Sequence, residues 1–308
     1  MKLIAPDYYN QFSCIADRCR HSCCIGWEID IDEDTYEYYK TVSGDLGKDL
    51  RKNISVSDGT ASFTLDENER CPFLQKDGLC RLIKELGEKS LCNICADHPR
   101  FRSFYSERTE IGLGLCCEAA AELVLNQEHK VKLTVLTDDE EKLTEDEEYI
   151  LKFRNQLFAV AQDREFTVEE RLENLTLLGS VTLPEKSFAE WAEVYLSLER
   201  LDEEWTHKLN LLKSAESTSI PHSLELPFEQ LLVYFLYRHI PSALDDGDIQ
   251  TKIGFAVLSV KIIAAMLGAE EKQDSDTLKE LVRLYSSEIE YSQENLNTLW
   301  DLLYEQNA

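Results

Sequence analysis

The chain has 308 residues, 43% of them hydrophobic, which is enough for one large domain or two modest ones with a core that needs no disulfides. Asp and Glu number 59 against 32 Lys and Arg, a formal charge of -27; phosphate backbones are held by clustered cations, so a nucleic-acid partner is excluded. All ten cysteines, Cys14, Cys19, Cys23, Cys24, Cys71, Cys80, Cys92, Cys95, Cys116 and Cys117, lie before residue 118.

The opening MKLIAPDYYN has one Lys and no apolar run. No secretory signal is read there, so a cytoplasmic, reducing location with free thiols is expected. In GWEIDID, residues 26 to 32, Trp27, Ile29 and Ile31 alternate with acids, which predicts a short half-buried strand. Asp32 then caps a helix from Thr35 to about Val42, its carboxylate accepting the free amides of the first turn. A strand is expected over Ala61 to Leu65 after the turn Ser57-Asp58-Gly59, helices over Arg81 to Leu86 and Cys116 to Leu125, and a strand over Lys130 to Leu136.

Asp138 to Glu148 (DDEEKLTEDEE) is the densest acidic run and reads as a domain boundary or an exposed helix start. Beyond it apolar residues recur at spacings of three and four. Helices are expected over Tyr149 to Gln162, Val168 to Leu178, Ser187 to Leu212, Pro227 to Arg238, Asp248 to Leu267, Asp276 to Tyr291 and Gln293 to Tyr304, with Pro184, Pro221, Pro227 and Pro241 at joints. Ile253 to Gly268 is the most apolar stretch, but it carries Lys261 and falls short of the ~20 residues a bilayer needs. It reads as a buried core helix, and no membrane is implied. The expected fold is mainly α (α+β): a small irregular cysteine-rich metal-binding module with short strands over 1–137, then an α-helical domain over 138–308.

Cys14-x4-Cys19-x3-Cys23-Cys24 puts four thiols in eleven residues, and Cys71-x8-Cys80-x11-Cys92-x2-Cys95 adds four more. Ligands two to four residues apart converge at little entropic cost, so metal ligation by several of these is expected, with Cys92-x2-Cys95 the strongest pair and Cys116 a further candidate. Adjacent cysteines point apart, so one of Cys23 and Cys24 can ligate while the other packs. Four thiolates suit tetrahedral zinc and an iron–sulfur cluster alike, and spacing leaves the two open. His98 could add a nitrogen ligand, although a loop histidine before Pro99 is the commoner reading. There is no Walker loop, no G-x-G-x-x-G after a strand and no nucleophile elbow. Gly112-x-Gly114 is explained by close packing of a strand or turn against the helix that follows.

FSCIADRCRHSCCIGWEIDID (Phe12 to Asp32), CPFLQKDGLC (Cys71 to Cys80), LCNICADHPR (Leu91 to Arg100) and CCEAAAELVL (Cys116 to Leu125) together resemble the flagellin lysine-N-methylase family, within the YkgJ-like cysteine-cluster proteins described as zinc- or iron-chelating. The ordered match covers roughly residues 8 to 125, and EQLLVYFLYRHIPSALDDGD (Glu229 to Asp248) is the most family-like part of the helical remainder. His98 stands where Tyr is common and Cys117 where Pro is common. The resemblance implies methyl transfer from S-adenosylmethionine to lysine ε-amines of flagellin, with a [4Fe-4S] cluster taking part. Glu118, matching the family's Glu-Ala-Ala, is the candidate catalytic base, against a plain role in stabilising the first helical turn. Arg100 could hold a carboxylate, though an ion pair on an acidic surface is the simpler role. The residues themselves leave open a second class of function, a non-catalytic zinc- or iron-binding module joined to a helical interaction domain.

Overall fold

The computed structural model describes residues 1–308 and divides the chain into two compact units. The smaller is Ser13–Arg100; the larger joins Met1–Phe12 to Phe101–Ala308. Residues 101–137, expected with the first domain, thus belong to the larger unit, and the acidic run Asp138 to Glu148 lies inside it. The physical reason is strand pairing: β1 (Lys2–Pro6) runs in the larger unit's sheet, which draws the two ends of the intervening segment together.

In the smaller unit, β2 (Asp30–Ile31) is the remnant of the strand expected over 26–32; Gly26, with φ +86°, stands at a bend before it. Asp32 caps α1 (Glu33–Thr41), its Oδ1 accepting the Thr35 N–H at 3.1 Å. After α2 (Gly44–Lys52), β3 (Ile54–Ser57) and β4 (Thr60–Phe63) form a hairpin. Its turn residues Asp58 and Gly59 both have positive φ, the combination that matches strand twist. β4 also pairs with β2, in the order β2-β4-β3. α3 (Arg81–Leu86) and α4 (Asn93–Asp97) complete the unit. Its core is Ile29, Ile31, Tyr39, Leu50, Phe63 and Phe73, with Cys71 and Cys92 buried among them.

The larger unit has a four-stranded sheet, β5-β6-β1-β7, from β5 (Arg100–Phe104), β6 (Arg108–Leu113) and, after α5 (Glu118–Leu125), β7 (Leu133–Thr137). β1 lies parallel to β6 and antiparallel to β7. Helices follow: α6 (Glu145–Ala161), α7 (Val168–Gly179), α8 (Phe188–Ser197), α9 (Glu203–Leu212), α10 (Glu225–His239), α11 (Ala243–Asp246), α12 (Ile249–Gly268), α13 (Ser275–Tyr285) and α14 (Gln293–Asn307). α6, α7 and α8 each begin with a capping box, from Thr144, Thr167 and Ser187. α12 is long and apolar enough to cross a membrane by length and composition alone, yet it is buried against α7, α9, α10, α13 and α14. It is the core helix expected from its sequence.

Two expected helices are corrected. Ser187 to Leu212 is not continuous: α8 and α9 are parted at residues 198–202, where the Glu288 carboxylate accepts the N–H groups of Leu201 and Asp202 at 2.9 and 2.8 Å. Asn295 holds Glu199 from the other side, through its N–H at 3.1 Å and its carbonyl at 2.8 Å. The helix expected over Asp276 to Tyr291 widens into a π-helical turn, Ser286–Glu290, after Tyr285.

Candidate functional site

Five of the nine candidate metal ligands, Cys24, Cys71, Cys80, Cys92 and Cys95, stand close enough in the smaller unit to act on one another's charge. Local backbone explains their poise. Cys80 and Cys92 occupy the N-cap positions of α3 and α4. Backbone N–H groups of Phe73 and Leu74 bond the Cys71 sulfur, those of Leu82 and Ile83 the Cys80 sulfur, and that of Cys95 the Cys92 sulfur. Such donors stabilise a thiolate.

The thiols are not equivalent. Hydrogen bonds from Cys23 and Ser22, with Arg70 nearby, bring Cys24 down to about 7 against the cost of burial. Burial pushes Cys71 up to about 12 and raises Cys80. The bond between Cys92 and Cys95 lowers the first and raises the second. Soft sulfur donors with N–H support fit a thiolate-bound metal or cluster by chemistry. Their rotamers do not close a coordination set, since no three His, Cys, Asp or Glu side chains are arranged to hold an ion.

The remaining candidates are placed differently. Cys14 and Cys23 are exposed; the Cys14 sulfur accepts the Ala16 N–H at 3.4 Å, and Cys19 donates to the His21 carbonyl at 3.1 Å. His98 is pushed down to about 4 by burial and by Arg100, so it is a neutral imidazole. Cys116 lies in the larger unit, where burial raises it to about 12 and its thiol bonds Tyr291. Glu118 is the first residue of α5, half-buried, with Cys117 at the N-cap. Gly112 and Gly114 serve packing: a Cβ on Gly112 would come 2.3 Å from the Phe101 ring, and one on Gly114 would come 2.1 Å from Tyr291 Oη.

The larger unit contains a cleft of about 290 Å³. The end of α10 supplies Arg238 and His239, α11 supplies Asp245 and Asp246, α14 supplies Trp300, and β5 supplies Phe101. Glu290, the last residue of the π-helical turn, closes its floor. The Glu290 carboxylate is fully buried, yet accepts hydrogen bonds from Tyr234 Oη at 3.1 and 2.9 Å and from His239 Nε2 at 2.7 Å, and forms an ion pair with Arg238, whose Nε lies 3.3 Å away. Burial favours the neutral acid; Arg238 and His239 outweigh it and hold the carboxyl below its ordinary range. The Arg238 guanidinium carbon lies 4.9 Å from the Phe101 ring centre and 4.7 Å from that of Tyr291. π-helical turns are uncommon and recur at functional sites because they shift one side chain out of helical register; here that side chain is Glu290.

The sequence gives one late signal for this cleft, a polar Arg238-His239 pair inside the apolar run LLVYFLYRHI. Glu290 carries none, because one acid among 59 has no pattern.

The FliB lysine N-methylase C-terminal domain family matches residues 221–308, the segment that holds Tyr234, Arg238, His239, Glu290 and Trp300. The flagellar biosynthetic protein FliU of Salmonella muenchen is 32% identical over 129 residues, covering 39% of this chain and 75% of that protein. The chain belongs to the lysine N-methylase family. The lysine-N-methylases of Salmonella typhimurium and Salmonella choleraesuis are each 31% identical over 140 residues, 43% of this chain. The match spans about a third of those curated methylases, 34% of each. No solved structure matches the chain.

Proposed function

We propose that this chain transfers methyl groups from S-adenosylmethionine to lysine ε-amines of flagellin in a reducing cytoplasm, with a metal centre of the [4Fe-4S] type held by cysteines of the smaller unit. The observation that carries the reading is the coincidence of the lysine N-methylase C-terminal match, residues 221–308, with the segment bearing the Glu290 cleft. The thiols of Cys24, Cys71, Cys80, Cys92 and Cys95 would hold the cluster, helped by their N–H donors. When bound, such a cluster with one open iron supplies a site for the donor's amino and carboxylate groups. The lack of a Rossmann-type glycine loop in the sequence supports a donor site built some other way.

What the chain's own side chains must do is receive a cationic lysine, desolvate it and remove a proton before the nitrogen can attack. Glu118 at the start of α5 remains a candidate for that work.

Incubation of the anaerobically purified chain with isotope-labelled S-adenosylmethionine and flagellin tests the reading. Labelled methyl-lysine in flagellin, read by mass spectrometry, is the expected result. Transfer to no flagellin lysine by a protein that retains its metal would overturn it.

A further inference from the structure

His239 stands in the cleft wall with one ring nitrogen already bonded. Its Nε2 lies 2.7 Å from Glu290 Oε1, and an ionised carboxylate there fixes the proton on Nε2. Nδ1 makes no hydrogen bond, so its lone pair is open. Burial, with Arg238 and Lys252 as neighbouring cations, lowers the histidine's proton affinity, which leaves a neutral imidazole at pH 7. The groups facing the ring are Glu290 from the π-helical turn, Arg238 beside it on α10, Phe255 and Lys252 on α12, and Trp300 on α14.

The wall of the same cleft already holds one ammonium. Lys252, itself buried, has its Nζ 2.7 Å from Asp246 and 3.8 Å from the centre of the Trp300 ring. A carboxylate and an indole thus already hold one lysine at the wall. The neighbouring Asp245 is exposed and makes no ion pair or side-chain hydrogen bond. It is a carboxylate at the mouth with no cation of its own.

We propose that this cleft is the acceptor site for a primary amine, with Asp245 receiving the ammonium and His239, oriented by Glu290, taking its proton. The assignment rests on the methyltransferase reading above. In the step, an Nζ–H bond breaks as Nδ1–H forms on His239, and Glu290 stabilises the imidazolium across 2.7 Å. The freed Nζ lone pair forms the N–C bond to the methyl of the sulfonium donor. The C–S bond breaks with its electron pair going to sulfur, which leaves as a neutral thioether. The imidazolium returns its proton to solvent.

The full chain is titrated with Nα-acetyl-lysine N-methylamide while the His239 ring signals, identified by their loss in His239→Gln, are followed by NMR. A saturable shift is expected, absent with the norleucine analogue and weakened by up to about fivefold in Asp245→Asn, the most an exposed ion pair contributes. No shift of the His239 signals overturns the proposal, whatever the methylation result. In the methyl-transfer assay, His239→Gln lowers kcat by ~10²–10⁴-fold, as loss of a general base does, and imidazole added to His239→Ala restores part of the rate. A His239→Gln variant with wild-type kcat and an unchanged pH profile overturns the base and leaves the methyltransferase reading standing. Amine binding without any methyl transfer by the wild-type chain overturns both that reading and the base.

Discussion

Glu290→Gln keeps the side-chain volume and removes a charge that Arg238 depends on. The two side chains are 0% and 11% exposed. In the variant Arg238 keeps its bonds to Tyr234 Oη at 2.8 Å and to the carbonyl of residue 290 at 3.1 Å, and it keeps both aromatic neighbours. Its hydrogen bonds survive while its counter-charge does not. Removing one partner of a buried pair costs about 3–5 kcal/mol. Cation–π contacts recover about 0.5–2 kcal/mol at such sites, so Glu290→Gln belongs near the lower end, about 3 kcal/mol. Arg238→Met leaves a buried carboxylate facing only Tyr234 and a neutral His239, and belongs near the upper end, about 4–5 kcal/mol.

The pH dependence separates the two variants. In the wild type the Glu290 pKa lies below its unfolded value, so its contribution is present above the unfolded pKa and is lost as pH falls through the folded one. In Arg238→Met burial raises that pKa instead, so the penalty shrinks as the solution is acidified. The double variant removes both charges and should cost less than the sum of the singles by about 2 kcal/mol. Urea unfolding followed by tryptophan fluorescence measures all four proteins, since Trp191, Trp205 and Trp300 lie in the larger unit. Single-variant costs that add within ~0.5 kcal/mol would refute the network.

Asp32→Ala removes two acceptors at once, Oδ1 for the Thr35 N–H at 3.1 Å and Oδ2 for the Asn93 N–H at 2.8 Å, and should cost about 2 kcal/mol in denaturant titration. Burial opposes the charge, but those N–H groups hold the Asp32 carboxyl below its ordinary value; the difference from wild type should be full above about pH 4 and fade at lower pH. Trp205→Ala opens a cavity at a fully buried ring set edge-on to Tyr195 and Tyr285 and should lower stability by about 3–5 kcal/mol, read as a fall in Tm. After reconstitution with iron and sulfide, Cys92→Ser and Cys95→Ser should lose bound metal while Cys14→Ser, exposed and outside the five-thiol group, retains it; equal metal content in all three would reject the grouping.

Elements fixed by local rules were legible in the sequence. The Asp32 cap, the buried helix α12 and the start of α7 at Val168 follow from such rules, whereas α6 begins at Glu145, ahead of the expected Tyr149, because the Thr144–Glu147 capping box holds its first turn. Gly112 and Gly114 do pack closely, but against Phe101 and Tyr291 and not against the helix that follows. The break between α8 and α9 was not legible, because the groups that replace its helical bonds come from Glu288 and Asn295, about ninety residues downstream.

For the candidate site the same division holds. Sequence alone identified the thiols, since short cysteine spacings are a local feature, and their order carried the family resemblance. It could not choose among them. Cys14 and Cys24 are near neighbours in the chain, yet Cys24 joins the group with Cys71, Cys80, Cys92 and Cys95 while the exposed Cys14 accepts the Ala16 N–H. Nor could it find the cleft. Tyr234, Arg238 and His239 come together with Glu290 across more than fifty residues. A charge so far along the chain becomes a partner only when α10 and the π-helical turn pack side by side, and only burial makes that partnership strong.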